Sequence, residues 1–227
     1  MTATFSTTFA YKEGMQLLLL DVLTRDDFTI LSNTTRRIDY GIDPMQDAYV
    51  QFFGHGMDGS GSGWVTDIEV YWPNVDSVGV IIEGLPDLPM ADFLAVAEAD
   101  DPQHALNLLL ARSDWTGTGT GSLLGETFWG FYSAETINAG GGYDLYVASM
   151  GIGQARDIVD IFDGGAGKDD ITLRELSTGA RVDLEAGLIT FSEEVSGVSY
   201  DRTINFVGVE EVTGSPFNDI MAGSSRY

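Results

Sequence analysis

From residue 113 onward, apolar and acidic positions follow a short, regular beat. In GSLLGETFW, GFYSAETIN and AGGGYDLYV (residues 121–147), an acid stands sixth in each nine, Glu126, Glu135 and Asp144, and an apolar residue stands eighth, Phe128, Ile137 and Tyr146. GGAGKDDIT (164–172) repeats the pattern with Asp169 and Ile171, and GSPFNDIMA (214–222) keeps a reduced copy with Gly214, Asp219 and Met221. Such a unit predicts a turn followed by a short strand whose apolar residue points inward, and stacked neighbours are needed to bury that residue. The stretch opens on the polar, Gly-rich SDWTGTGTGS, and its composition predicts short strands and no helix.

Before residue 113 the pattern differs. DAYVQFFGHG and WVTDIEVYW carry β-branched and aromatic residues around the turn-forming MDGSGSG, which predicts a hairpin with a long loop, and SVGVIIEGL predicts a further strand. The apolar run GMQLLLLDVL and Thr24 (14–24) fits a short helix or a buried strand equally, because a continuous run has no period. Two short helices are expected next. Pro89 precedes MADFLAVAEA, and Pro102 precedes QHALNLLLA with Asp101 as N-cap. In the second helix Ala105, Leu108 and Leu109, widened by Leu106 and Leu110, form the expected core face. Domain organisation follows: a β-rich region with two short capping helices over 1–112, and the repeat region over 113–227.

Composition adds a constraint. Asp and Glu number 35 against 11 Lys and Arg, a formal net charge of -24. This charge excludes nucleic acid and anionic lipid surfaces as partners and fits equally a cation, whose binding would relieve the self-repulsion, or a solvated acidic surface suited to a salty medium. An apolar fraction of 44% argues for a folded chain. With no cysteine, disulfides and thiolate metal sites are ruled out. No apolar run reaches membrane-spanning length, so membrane insertion is not expected, and the first residues carry no secretory signal pattern. The two histidines, His55 in GHGMDGSGSG and His104 in the second helix, have no ligand or nucleophile at catalytic spacing. Neither H-E-x-x-H nor G-x-S-x-G occurs. The aromatics Phe52, Phe53, Trp64, Tyr71 and Trp72 read as the two faces of a sheet or as a carbohydrate-binding platform.

The turns carry the candidate chemistry. Glycines at places one, two and four permit positive φ and let carbonyls converge on an ion, and the acid at place six adds a charged oxygen. The candidate calcium ligands are therefore Gly140, Gly142 and Asp144 in one turn and Gly164, Gly165, Gly167 and Asp169 in another. Glu126 and Asp219 stand in worn copies. Ser122, Leu124, Phe131 and Ser133 replace glycines in the first two units, and the extra methylene of Glu126 and Glu135 moves the carboxylate outward.

These glycine-and-acid turns resemble the RTX, or haemolysin-type calcium-binding, repeat family. GARVDLEAGLITF and VGVEEVTGSPFNDIMAG resemble the spacers of that family as well, and the order of TDIEV, IIEGL, helices and first repeat is similar. The resemblance implies an all-β fold in which a parallel β-roll or β-helix follows the N-terminal β-rich region. Two units make one coil, and calcium lies between turns two units apart, so that Glu126 pairs with Asp144. It also implies type I secretion without an N-terminal signal, and folding on calcium outside the cell. The expected function is a non-catalytic extracellular module at a bacterial cell or particle surface, structural, adhesive or glycan-binding. Its partners would be calcium and a polysaccharide, another surface protein or a second copy. The alternative is an accessory or catalytic part of a secreted polysaccharide-modifying enzyme.

Overall fold

A computed structural model describes residues 2–7, 29–34, 37–41, 49–57, 61–72, 77–119, 125–130, 133–150 and 154–223. The run 14–24 and the turn residues Ser122, Leu124 and Phe131 lie outside them. The described chain is mostly β, with several sheets and two helices. It divides into two compact units, one ending at Asp114 and the other running from Trp115. No helix among the described residues is long and apolar enough to cross a membrane.

The first unit holds strands β1 (Thr2–Thr7), β2 (Thr29–Thr34), β3 (Arg37–Gly41), β4 (Tyr49–His55), β5 (Trp64–Trp72), β6 (Ser77–Glu83) and β7 (Leu88–Pro89), then helices α1 (Met90–Ala97) and α2 (Pro102–Leu110). The strands pair antiparallel in the order β2-β3-β4-β5-β6-β1, with β7 also on β5. The hairpin β4–β5 has a bulge after Phe53. Gly54 is required there, since a Cβ would stand 1.8 Å from the Trp64 carbonyl oxygen. Helix α1 buries Met90, Phe93 and Val96, three residues apart, and the Phe93 ring meets Phe52 at 5.3 Å. Phe52 is thus core and not part of an aromatic platform, whereas Trp64 is 45% exposed. Side chains of Tyr71 and Trp72 lie outside the description.

Helix α2 starts as its residues dictate. Pro102 occupies the first turn, and the Asp101 carboxylate accepts from the His104 N–H at 3.0 Å. Its buried face is Leu106, Leu109 and Leu110, while Leu108 is 40% exposed and Ala105 half-buried, which corrects the expected face. Residues 106, 109 and 110 share a side at 3.6 residues per turn, and a run of leucines does not reveal which side the core takes.

The second unit contains β8 (Asp114–Thr118), β9 (Thr127–Trp129), β10 (Glu135–Asn138), β11 (Gly141–Gly142), β12 (Leu145–Val147), β13 (Ile158–Asp163), β14 (Ala166–Gly167), β15 (Asp170–Thr172), β16 (Arg181–Asp183), β17 (Leu188–Val195), β18 (Val198–Val207), β19 (Glu211–Thr213) and β20 (Ile220–Ala222). Two parallel ladders dominate. One runs β9-β12-β15-β19 and aligns Phe128, Tyr146, Ile171 and Val212. The other runs β8-β10-β13-β18 and aligns Ile137, Phe162 and Phe206. Successive repeats therefore contribute to alternate ladders, which is why Phe128 and Tyr146 align while Ile137 does not. Inside, Phe162 stacks on Tyr146 at 5.2 Å and lies 6.4 Å from Phe128.

The spacer departs from the repeats. Strands β17 and β18 form a long antiparallel hairpin closed by Ser196 and Gly197, both at positive φ, with β16 antiparallel to β17 and β20 parallel to β16. Arg202 is buried within it. Its guanidinium meets Glu193 Oε2 at 2.7 Å and donates to the carbonyls of Gln154 (3.0 Å) and Arg156.

Candidate metal centre

The turns that precede the β9-β12-β15-β19 strands stack as a column of acids. Each carboxylate caps the backbone of the level before it. Glu126 N–H donates to Asp144 Oδ1 at 2.8 Å, Asp144 N–H to Asp169 Oδ1 at 2.8 Å, and Asp169 N–H to Glu210 Oε2 at 2.8 Å. Glu126, Asp144 and Asp169 are 2%, 1% and 0% exposed. Glu126 and Asp144 are thus neighbours through a backbone-to-carboxylate bond, and Asp169 joins one level on.

The candidate glycines meet in the same stack. Strands β11 and β14 pair Gly142 with Gly167, Ala166 N–H donates to Gly140 O at 3.0 Å, and Lys168 N–H donates to Gly142 O at 3.3 Å. The turns approach so closely that a Cβ on Gly167 would lie 1.7 Å from Gly142 O, and one on Gly165 2.2 Å from Gly140 O. Gly164 lies against the carboxylate itself: a Cβ there would be 2.8 Å from Asp169 Oδ2 and 2.4 Å from Gly208 O.

The column is electrostatically incomplete. Asp144 Oδ2 and Asp169 Oδ2 are buried and accept no hydrogen bond among the described residues. Burial raises Asp144 to about 6, against the Glu126 N–H, with the Asp169 and Glu126 charges adding to the rise. Asp169 and Asp170 are also raised, mainly by burial. Glu210, Asp170 and Asp163 add to the first rise, and Glu211 and Glu210 to the second. Such atoms call for a proton or a cation.

The residues fit a hard cation. Every donor is an oxygen, two carboxylate oxygens are orphaned, and glycine turns adjoin them, with Gly164 tight against Asp169 Oδ2. Among the described residues no three His, Asp or Glu side chains gather closely enough to hold a metal by themselves, so an ion here would need backbone carbonyls beside the aspartates.

Asp219 stands elsewhere. Its oxygens accept from Ala180 N–H (2.8 Å), Ser215 N–H (2.9 Å) and Ser215 Oγ (2.8 Å), and none of these bonds reaches the column. The bonds of Glu135 likewise lie away from the column. Glu135 points inward, where Tyr146 Oη donates to its Oε2 at 2.9 Å and its own N–H donates to Asp160 Oδ1 at 3.1 Å. Burial raises Asp160 to about 7 despite the Glu135 N–H and the Tyr146 hydroxyl. Burial likewise pushes the Tyr146 hydroxyl well up, with the Asp160 and Glu135 charges beside it.

Glu210 escaped the sequence reading because its turn keeps only Gly208. The signal that survives is the spacing from acid to apolar residue, Glu210 to Val212, the same as Asp169 to Ile171. Compared with protein-family models, curated proteins and solved structures, the chain matches none.

Proposed function

We infer that the chain is a non-catalytic extracellular module whose acid column binds calcium and whose repeat region folds on that binding. The two parallel ladders would then be the faces of one parallel β-roll. The observation that carries this reading is the pair of buried, unpartnered oxygens, Asp144 Oδ2 and Asp169 Oδ2, one level apart beside glycine turns. Asp144 and Asp169 would hold the ion with carbonyls of the 139–144 and 164–169 turns, and bound calcium supplies the positive charge these carboxylates lack. Where calcium is scarce, a chain of net charge -24 repels itself and the column stays uncompensated. Where calcium is abundant, binding free energy becomes folding free energy. The exported module would serve as a surface, structural or glycan-binding component.

Metal counting on the full chain tests the assignment. Asp144→Asn and Asp169→Asn should each lower calcium uptake, and Asp219→Asn should leave it unchanged. Equal uptake by all three variants would refute the column as the site.

A further inference from the structure

The geometry points to a binding groove for a neutral saccharide on the outer face of the second unit, beside the last worn repeat. It rests on the reading of this chain as a non-catalytic binding module, and it names the place and the ligand class.

The groove has a volume of about 580 Å³, within the range of about 300–1,000 Å³ usual for small-molecule sites. Strand register builds it. Ile220, Arg181, Thr190 and Thr203 are direct neighbours across β20, β16, β17 and β18, so one outward row presents an apolar side chain, a guanidinium and two hydroxyls. Asp201 and Asn218 complete the lining. Asp219 holds the rim by bonding both Ser215 and Ala180 N–H, which fixes the turn carrying Asn218 against the start of β16.

The unusual feature is Arg181. In a chain with 35 acids, its side chain has neither an ion pair nor a hydrogen bond among the described residues, although Asp201 lines the same groove. The Asn218 side chain likewise has no described partner. Arg181 and Asn218 can donate to ligand oxygens, Asp201 can accept from ligand hydroxyls, and Ile220, 64% exposed, offers contact to a C–H face. Groups that both donate and accept at short spacing are the vicinal hydroxyls of a sugar. The charges narrow the class further. Asp201 and the net charge of the chain oppose a polyanion, and Arg181 opposes a cation.

The test applies the full chain, in calcium and in EDTA, to an array of neutral glucan, mannan and galactan oligosaccharides printed beside uronate polymers and peptides. The wild type should retain a neutral saccharide. Arg181→Ala and Asp201→Asn should each weaken retention about tenfold, the effect of one lost charge-assisted hydrogen bond, whereas Trp64→Ala should not change it. Amide shifts on adding the retained saccharide should fall at 178–181 and 218–220, which locates the site even if a variant misfolds. Retention lost in Trp64→Ala alone, shifts outside the groove, binding confined to uronates or peptides, or no binding at all would overturn the proposal. Calcium counted on the same samples separates the two readings: intact uptake without saccharide binding overturns the groove alone, and the reverse overturns the metal site alone.

Discussion

Replacing Asp160 by asparagine isolates the interior acid from the rest of the chain's charge. Asp160 is 8% exposed and is raised from 3.8 to about 7, chiefly by burial. Between about pH 4 and pH 7 the folded chain therefore keeps a proton at this site that the unfolded chain has released. The folded state binds more protons, so stability must fall as pH rises through that window. A shift of about three units corresponds to about 4 kcal/mol at most, or about 1.4 kcal/mol per pH unit inside the window. The side-chain amide introduced by Asp160→Asn would keep an oxygen for the Glu135 N–H and carry its own protons at every pH. Urea unfolding in saturating calcium at intervals from pH 4.5 to 7.5 reads the effect. Asp160→Asn should gain stability relative to the wild type as pH rises, with slopes that differ by up to one proton. A variant with the wild-type slope would refute the assignment of that proton to Asp160.

Other outcomes follow from the same contacts. Calcium affinity should decline below about pH 6, because Asp144 must give up its proton to bind; titrations at pH 7.5 and 5.5 check this, and an unchanged affinity would contradict it. Gly167→Ala should cost about 3 kcal/mol or more in urea unfolding, since its Cβ would stand 1.7 Å from a backbone oxygen. Gly197→Ala, also at positive φ but with nothing within 4 Å, should cost only about 1 kcal/mol. Asp101→Ala removes the cap on α2 and should destabilise the first unit by about 1 kcal/mol, read as a lowered urea midpoint.

The sequence made the acid-to-apolar spacing and the strand after each turn legible, along with the Asp101 cap. It left the direction of Glu135 hidden. Glu126, Asp144 and Asp169 stand just before their strands, whereas Glu135 is the first residue of β10. Its place in the nine is the same, two residues before the inward Ile137, so the pattern alone does not set it apart; it lies on the other ladder, where the Tyr146 hydroxyl reaches it. Arg202 and Glu193 were hidden for a related reason. They occupy the inward places of β18 and β17, where pattern alone expects apolar residues, and only strand pairing reveals that each satisfies the other. The proposed groove arises from the register of β16, β17, β18 and β20, which no local motif announces: only strand pairing sets Arg181 beside Thr190 and Ile220.

The central claim is that the buried acid column is completed by calcium. Thermal unfolding of the full chain followed by circular dichroism, in calcium and in EDTA with bound calcium counted on the same sample, tests it most directly. Measurable calcium uptake and a higher melting temperature in calcium are predicted. No bound calcium and equal melting temperatures would contradict the account.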